Sequence, residues 1–179
     1  MKSLILSAGE GSRLSPLTKI TPKPLLDIRG KPILAYILDN LDNSNYIEEI
    51  YVMYSHKFES QFKAFEDYFI YSKKFEIVSD KHRFVNEMPG SIGAIAYIVK
   101  QKRIDEDLLV IAGDNLFDFG IDDFINFYNQ HKKTSIAVYD FNDKSKVANR
   151  FGVVELDKNK RVISFEEKPS NPKTSLAST

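Results

Sequence analysis

Short apolar runs without polar alternation recur along this chain, each separated from the next by a stretch of helical periodicity, and that rhythm restricts the fold more than any other feature. The most pronounced is Asp107 to Ala112, "DLLVIA". A strand wetted on one face would alternate, so a continuous apolar run reads as a strand of a parallel sheet, buried on both faces. Ser3 to Ser7 and Ile50 to Tyr54 also read as strands, the first of them buried, and Phe75 to Val78 as a further short strand. Between them, Pro32 to Leu41 reads as a helix opened by proline at its first turn. Phe58, Phe62, Phe65 and Phe69 recur at the spacing of a core-facing helix, not of a base-stacking surface. Ser91 to Lys100 and Ile121 to His131 are predicted helices, and Thr134 to Tyr139 a further strand.

After residue 140 the pattern changes. Gly152 to Leu156 and Val162 to Glu166, separated by "DKNKR", read as an antiparallel pair, and the closing "KTSLAST" turns apolar again at Leu176 and Ala177, as at the opening of another strand. The expected fold is α/β: a doubly wound, mostly parallel, Rossmann-like sheet with an antiparallel strand pair near the C-terminus. It is expected as a single domain over residues 1–179, with a ligand crevice at the carboxyl ends of the strands.

Charge and composition narrow the function. Lys plus Arg and Asp plus Glu number 25 each, so no global field draws the protein to nucleic acid or an anionic membrane. The absence of cysteine excludes disulfides, a thiolate nucleophile and cysteine-ligated metals. His56, His82 and His131 are scattered without ligand spacing, which argues against a zinc site. The apolar start at Leu4 to Leu6 is broken by Gly9-Glu10-Gly11-Ser12-Arg13 before a signal-peptide core could form. A cytoplasmic address is expected.

Electrostatic work must therefore be local, and it concentrates directly after the first strand. Between Gly9 and Pro32 stand five cations (Arg13, Lys19, Lys23, Arg29 and Lys31) against two acids (Glu10 and Asp27). Gly9 and Gly11 let backbone N–H groups approach an anion closely. The dinucleotide fingerprint would need a glycine where Leu14 stands, and the Gly-Lys-Ser/Thr of a P-loop is missing. A polyphosphate cradle of another kind is expected.

The full string Leu6-(x2)-Gly9-x-Gly11-x-Arg13-Leu14-x-Pro16-Leu17-Thr18-(x3)-Pro22-Lys23-Pro24-Leu25 closely resembles the signature of the sugar-phosphate nucleotidyltransferases, typified by glucose-1-phosphate thymidylyltransferase. "PGSIGAI" at 89 to 95 resembles that family's second glycine loop, which sets backbone against the nucleotide base. "LVIAGDN" at 109 to 115 resembles the strand end whose aspartate holds magnesium, and "RFGVVELD" at 150 to 157 and "SFEEKP" at 164 to 169 resemble two sugar-phosphate motifs.

The resemblance implies catalytic Arg13, Lys23 and Asp114, with Asp114 as ligand of the cofactor Mg²⁺. It implies nucleotide contacts at Leu6, Ala8, Gly9, Gly11, Ser12, Asn86 and Gly90, and sugar-phosphate contacts at Gly152, Glu167 and Lys168. The implied partners are a nucleoside triphosphate (dTTP or UTP) and a sugar 1-phosphate, without nucleic acid or membrane; homo-oligomerisation is left open. Ile92 replaces the family's usual alanine, and Asn86 and Glu87 stand where a base-reading glutamine is common, so the base stays open. Family members also continue beyond this chain's last residue, through a second magnesium-binding aspartate, so the domain is expected to be truncated. Two rival readings remain: a phosphocholine-type cytidylyltransferase, and a catalytically silent module that binds nucleotide or sugar phosphate.

Overall fold

The computed structural model describes residues 1–9, 11, 14–80 and 90–178. The chain divides into two compact units, Met1–Asp123 and Phe124–Thr179, each described below by itself.

The first unit is built on four parallel strands: β1 (Lys2–Ser7), β4 (Glu49–Tyr54), β5 (Lys74–Ser79) and β6 (Leu108–Ala112). A two-residue hairpin, β2 (Asp27–Ile28) and β3 (Lys31–Pro32), lies between β1 and β4 in the chain. The sheet order is β5-β4-β1-β6, with Leu4 opposite both Tyr51 and Val110. The chain thus builds outward on one side of β1, then returns to its other side. That reversal makes the carboxyl ends of β1 and β6 a topological switch point, where such sheets place ligands.

Helices α1 (Ile33–Asp42), α2 (Glu59–Tyr68) and α3 (Gly90–Lys102) cover this sheet. Along a strand, successive side chains take opposite faces. Leu4, Tyr51, Met53 and Val78 pack with Ala94 and Ile98 of α3. Tyr54, on the other face, stacks on Phe62 of α2 at 4.9 Å between ring centroids. The sheet is therefore helix-covered on both faces, as expected. Phe58, Phe62 and Phe65 are buried, and Phe69 stacks on Phe65 at 4.5 Å, so the phenylalanine stripe is core.

One strand departs from its sequence reading. Leu109 and Ile111 of β6 are buried, but Val110 is 39% exposed. Among the described residues β6 is the edge of its sheet, and α3 packs over the β1, β4 and β5 side, so the outer part of the apolar run is covered on one face.

The second unit begins within α4 (Ile121–His131) and contains β7 (Val138–Asp140), the short helix α5 (Lys144–Val147), β8 (Gly152–Leu156), β9 (Val162–Glu167) and β10 (Leu176–Ser178). The expected antiparallel pair, β8 and β9, is part of a larger sheet with order β7-β10-β8-β9. Asp157 shapes the β8–β9 turn, its Oδ1 accepting from the N–H groups of Asn159 (2.8 Å) and Arg161 (2.9 Å). The apolar residues Leu176 and Ala177 do open a strand, inserted between β7 and β8. Strand β7 is shorter than the predicted Thr134 to Tyr139, because β10 offers it only three partners: Leu176, Ala177 and Ser178.

At the amino ends of the parallel strands, Glu49 is buried among cations. Lys74 lies against its Oε1, Lys2 stands 3.4 Å from its Oε2, and Tyr51 hydrogen-bonds to it. Burial alone would push this carboxyl up, yet the hydrogen bonds from Lys74, Tyr51 and Lys2 prevail and hold its pKa at about 2, against an ordinary 4.5. A carboxylate lowered on folding contributes stability above its unfolded pKa and loses it as acid protonates the folded form. Glu49→Gln is therefore expected to unfold more readily than the parent at pH 7. The gap should close as the pH falls from 4.5 to about 2, checked by urea unfolding across that range.

Candidate active site

The carboxyl ends of β1 and β6 open into a cleft of about 310 Å³, lined by Leu6, Ser7, Gly9, Gly11, Leu14, Lys23, Pro24 and Asp114. The parallel ladder between the two strands continues one step past its last paired residues, because Gly113 N–H donates to the Leu6 carbonyl at 2.9 Å. That bond brings the residues following β1 beside the residues following β6.

The wall after β1 is a loop drawn in on itself. Gly11 has φ +61°, a left-handed conformation that favours glycine, and its carbonyl accepts from both Leu14 N–H (2.9 Å) and Thr18 Oγ1 (2.9 Å). A Cβ at Gly11 would also stand 2.9 Å from Thr18 Cγ2. Thr18 is 3% exposed, so a buried hydroxyl holds the glycine turn from beneath. Two 3₁₀ turns, Leu17–Lys19 and Lys23–Leu25, follow, and Pro22 and Pro24 fix the backbone around Lys23.

From opposite sides of the cleft, Lys23 and Asp114 meet: Lys23 Nζ donates to Asp114 Oδ2 at 2.5 Å. The two side chains are 34% and 37% exposed, and so open a pair is worth at most about 1 kcal/mol. It is readily exchanged for other partners. The lysine can turn to a phosphate and the carboxylate to a cation.

The donor set fits Mg²⁺ as its metal. Magnesium takes one or two carboxylates and fills its remaining positions with phosphate oxygens and water, rather than a dedicated protein cage. Among the described residues no three His, Asp or Glu gather, whereas Asp114 is an open carboxylate beside a glycine-rich loop, already holding a lysine cation.

Gly152, Glu167 and Lys168 belong to the second unit. Gly152 pairs with Glu167 across β8 and β9, and the position of its missing Cβ lies 2.8 Å from both the Phe165 ring and Ser178 Oγ. A side chain there would have to displace the Phe165 ring and the Ser178 hydroxyl, so packing favours glycine. Lys168 adopts φ +47°, a conformation that costs a side-chain-bearing residue about 1–2 kcal/mol. It is pinned by its N–H to the Phe151 carbonyl (3.1 Å), and its Nζ donates to Glu167 Oε1 at 2.6 Å.

Of the residues expected in the nucleotide site, Leu6, Gly9, Gly11, Lys23 and Asp114 line the cleft. Ala8 is half-buried between two lining residues, and Gly90 stands exposed at the first position of α3 with φ +84°. Arg13, Ser12 and Asn86 lie outside the described residues. Thr18, Leu14 and Pro24 were legible as parts of the opening string but carried no assigned role. Ser7 carried no signal beyond its place in a strand.

Comparison with known proteins agrees with this geometry. The model of the family described as nucleotidyl transferase matches residues 2–179. The chain belongs to that family. Over 176 residues the chain is 33% identical to the bifunctional protein GlmU of Methanococcus aeolicus, covering 98% of this chain and 38% of that protein. It is 31% identical to glucose-1-phosphate adenylyltransferase 1 of Vibrio parahaemolyticus, covering 96% of this chain and 44% of that one. The chain thus spans less than half the length of these two relatives. A crystal structure from Bacillus anthracis described as a glucose-1-phosphate thymidylyltransferase, in complex with sucrose, superposes with a TM-score of 0.81 at 26% identity, covering all of this chain and 69% of that one. Among the described residues, no helix is long and apolar enough to cross a membrane.

Thr18→Val keeps the shape of the side chain and deletes the hydroxyl that supports Gly11. The expected loss is about 1 kcal/mol of unfolding free energy, read by denaturant titration. An unchanged unfolding midpoint would remove Thr18 from the support of the loop.

Proposed function

We propose that this protein transfers a nucleotidyl group from a nucleoside triphosphate to a sugar 1-phosphate, releasing pyrophosphate and forming a nucleotide sugar. The observation that carries this reading is the cleft at the switch point, where two glycines, Lys23 and Asp114 converge from two different loops. Family membership and the activities named for its relatives support it. Two of those names share glucose 1-phosphate and differ in the base, so a hexose 1-phosphate is the acceptor we favour; dTTP or UTP as donor rests on the sequence resemblance alone.

In this reaction an oxygen of the sugar phosphate attacks the α-phosphorus of the triphosphate. A new P–O bond forms as the bond from the α-phosphorus to the bridging oxygen breaks, and the electron pair leaves with pyrophosphate. Such a displacement asks the protein for in-line positioning and neutralised charge. The N–H groups of Gly9 and Gly11 face phosphate oxygens, and Lys23 leaves Asp114 to hold the triphosphate. Arg13 balances charge on the transferring and leaving phosphates. Asp114 would hold Mg²⁺, which when bound would withdraw charge from the phosphate oxygens. Leu6, Ala8, Ser12, Asn86 and Gly90 are assigned the remaining nucleotide contacts. Gly152 and Glu167 contact the sugar hydroxyls, and Lys168 fixes the phosphate that attacks.

The test is pyrophosphate release, with Mg²⁺ present, across a matrix of nucleoside triphosphates and hexose 1-phosphates, with phosphocholine as a competing acceptor. Release with one donor and one hexose 1-phosphate supports the reading. Release with phosphocholine alone contradicts it. Asp114→Asn should lower turnover by about 10²–10³-fold while the far-ultraviolet spectrum stays that of the parent. Lys168→Ala should raise the KM for sugar phosphate and leave that for nucleotide unchanged. A Lys168 variant with unaltered sugar-phosphate dependence would lose that role.

A further inference from the structure

A buried polar group in the cleft has no role in the account so far. Ser7, the last residue of β1, is 2% exposed, and its hydroxyl is fully enclosed without a hydrogen-bond partner among the described residues. A buried hydroxyl left unpaired destabilises a fold, and alanine at this position would avoid the penalty. Folding alone gives no reason for a serine.

The geometry around Gly113 supplies one. This glycine is buried, its N–H extends the β1–β6 ladder to Leu6, and the next residue is Asp114. A Cβ built on Gly113 would fall 2.1 Å from Ser7 Oγ, against 3.1 Å from Ser7 Cβ and 3.1 Å from the Leu6 carbonyl. The serine oxygen therefore occupies the space that any other residue at 113 would fill with its side chain. The oxygen itself makes the contact, so a methyl group at Ser7 would fall short of it. Shortening Ser7 leaves a void against the backbone from which Asp114 departs.

We propose that Ser7 is a positioning residue of the nucleotide cleft: its hydroxyl, wedged over Gly113, fixes the turn that presents the Asp114 carboxylate. The stability sacrificed by an unpaired hydroxyl is exchanged for a rigid placement of that carboxylate. Ser7 acts through Gly113 and touches no reacting atom. The proposal rests on the reading of Asp114 as the metal-bearing residue of the cleft.

The experiment measures binding, not turnover. The probe is inorganic pyrophosphate with Mn²⁺, the leaving group of the proposed reaction with a close substitute for Mg²⁺, titrated calorimetrically into the full chain alongside a thermal melt without ligand. Ser7→Ala is expected to melt at or above the parent's temperature yet bind about 10-fold more weakly, since losing a group that orients a metal ligand costs about 10–100-fold in metal affinity. Gly113→Ala should bind more weakly still. In that background Ser7→Gly should recover at least 10-fold of the lost affinity, on the same positional argument, because the new methyl takes the place of the hydroxyl. If Ser7→Ala binds as the parent does, or the double variant is no tighter than Gly113→Ala, the wedge is refuted while Asp114 keeps its role. If Asp114→Asn binds as tightly as the parent, the reading of the cleft fails and the proposal falls with it. Should Gly113→Ala not fold, the Ser7→Ala comparison decides alone.

Discussion

Everything proposed for the cleft depends on the parallel ladder between β1 and β6. These strands are far apart in sequence, and their pairing, extended one bond further by Gly113 N–H to the Leu6 carbonyl, is what sets the glycine loop beside Asp114. A loop of cations on its own is a solvated surface. Placed against an open carboxylate at a switch point, it becomes a site with charges of both signs, suited to a polyphosphate that brings its own metal.

The cleft shows two ways of supporting a polar loop from below. Thr18 satisfies its hydroxyl by donating to the Gly11 carbonyl, so that support adds to stability as well as to shape. Ser7 finds no partner for its hydroxyl among the described residues and, in the wedge proposed here, contributes volume instead. At the opposite ends of the same strands the arrangement is purely stabilising: Glu49 is enclosed by Lys74, Tyr51 and Lys2, and its depressed pKa ties the sheet's stability to pH. One sheet thus carries a stability device at its amino ends and the proposed binding cleft at its carboxyl ends.

Much of the first unit was legible in the sequence, because a parallel strand buried between helix layers has little choice but to be continuously apolar. β1 and β4 follow from that constraint, and the phenylalanine stripe and the helices α1 and α3 from helical periodicity, while β5, which carries Glu76, was read only as a short strand. The Asp27–Pro32 hairpin was not foreseen, since two-residue strands carry no periodicity. The exposure of Val110 was missed because hydrophobicity does not reveal which strand lies at an edge. The β8–β9 pair was legible, but its place in a four-stranded sheet depends on long-range pairing with Leu176–Ser178, where only the return of apolar residues gave a hint. In the cleft, Gly9, Gly11, Lys23 and Asp114 were found by motif and their convergence by fold class. Ser7 was invisible, because a serine in an apolar run looks neutral until its neighbour proves to be a glycine without room for a side chain.

The central claim is that this cleft, formed by the ends of β1 and β6, receives the triphosphate. Its most direct test is amide hydrogen exchange with and without Mg²⁺ and whichever nucleoside triphosphate calorimetry shows to bind. The account expects new protection at Gly9, Gly11 and the backbone of Lys23 and Asp114, with the amino-edge residues around Glu49 unchanged. Binding accompanied by protection elsewhere, with these amides exchanging as before, would contradict it.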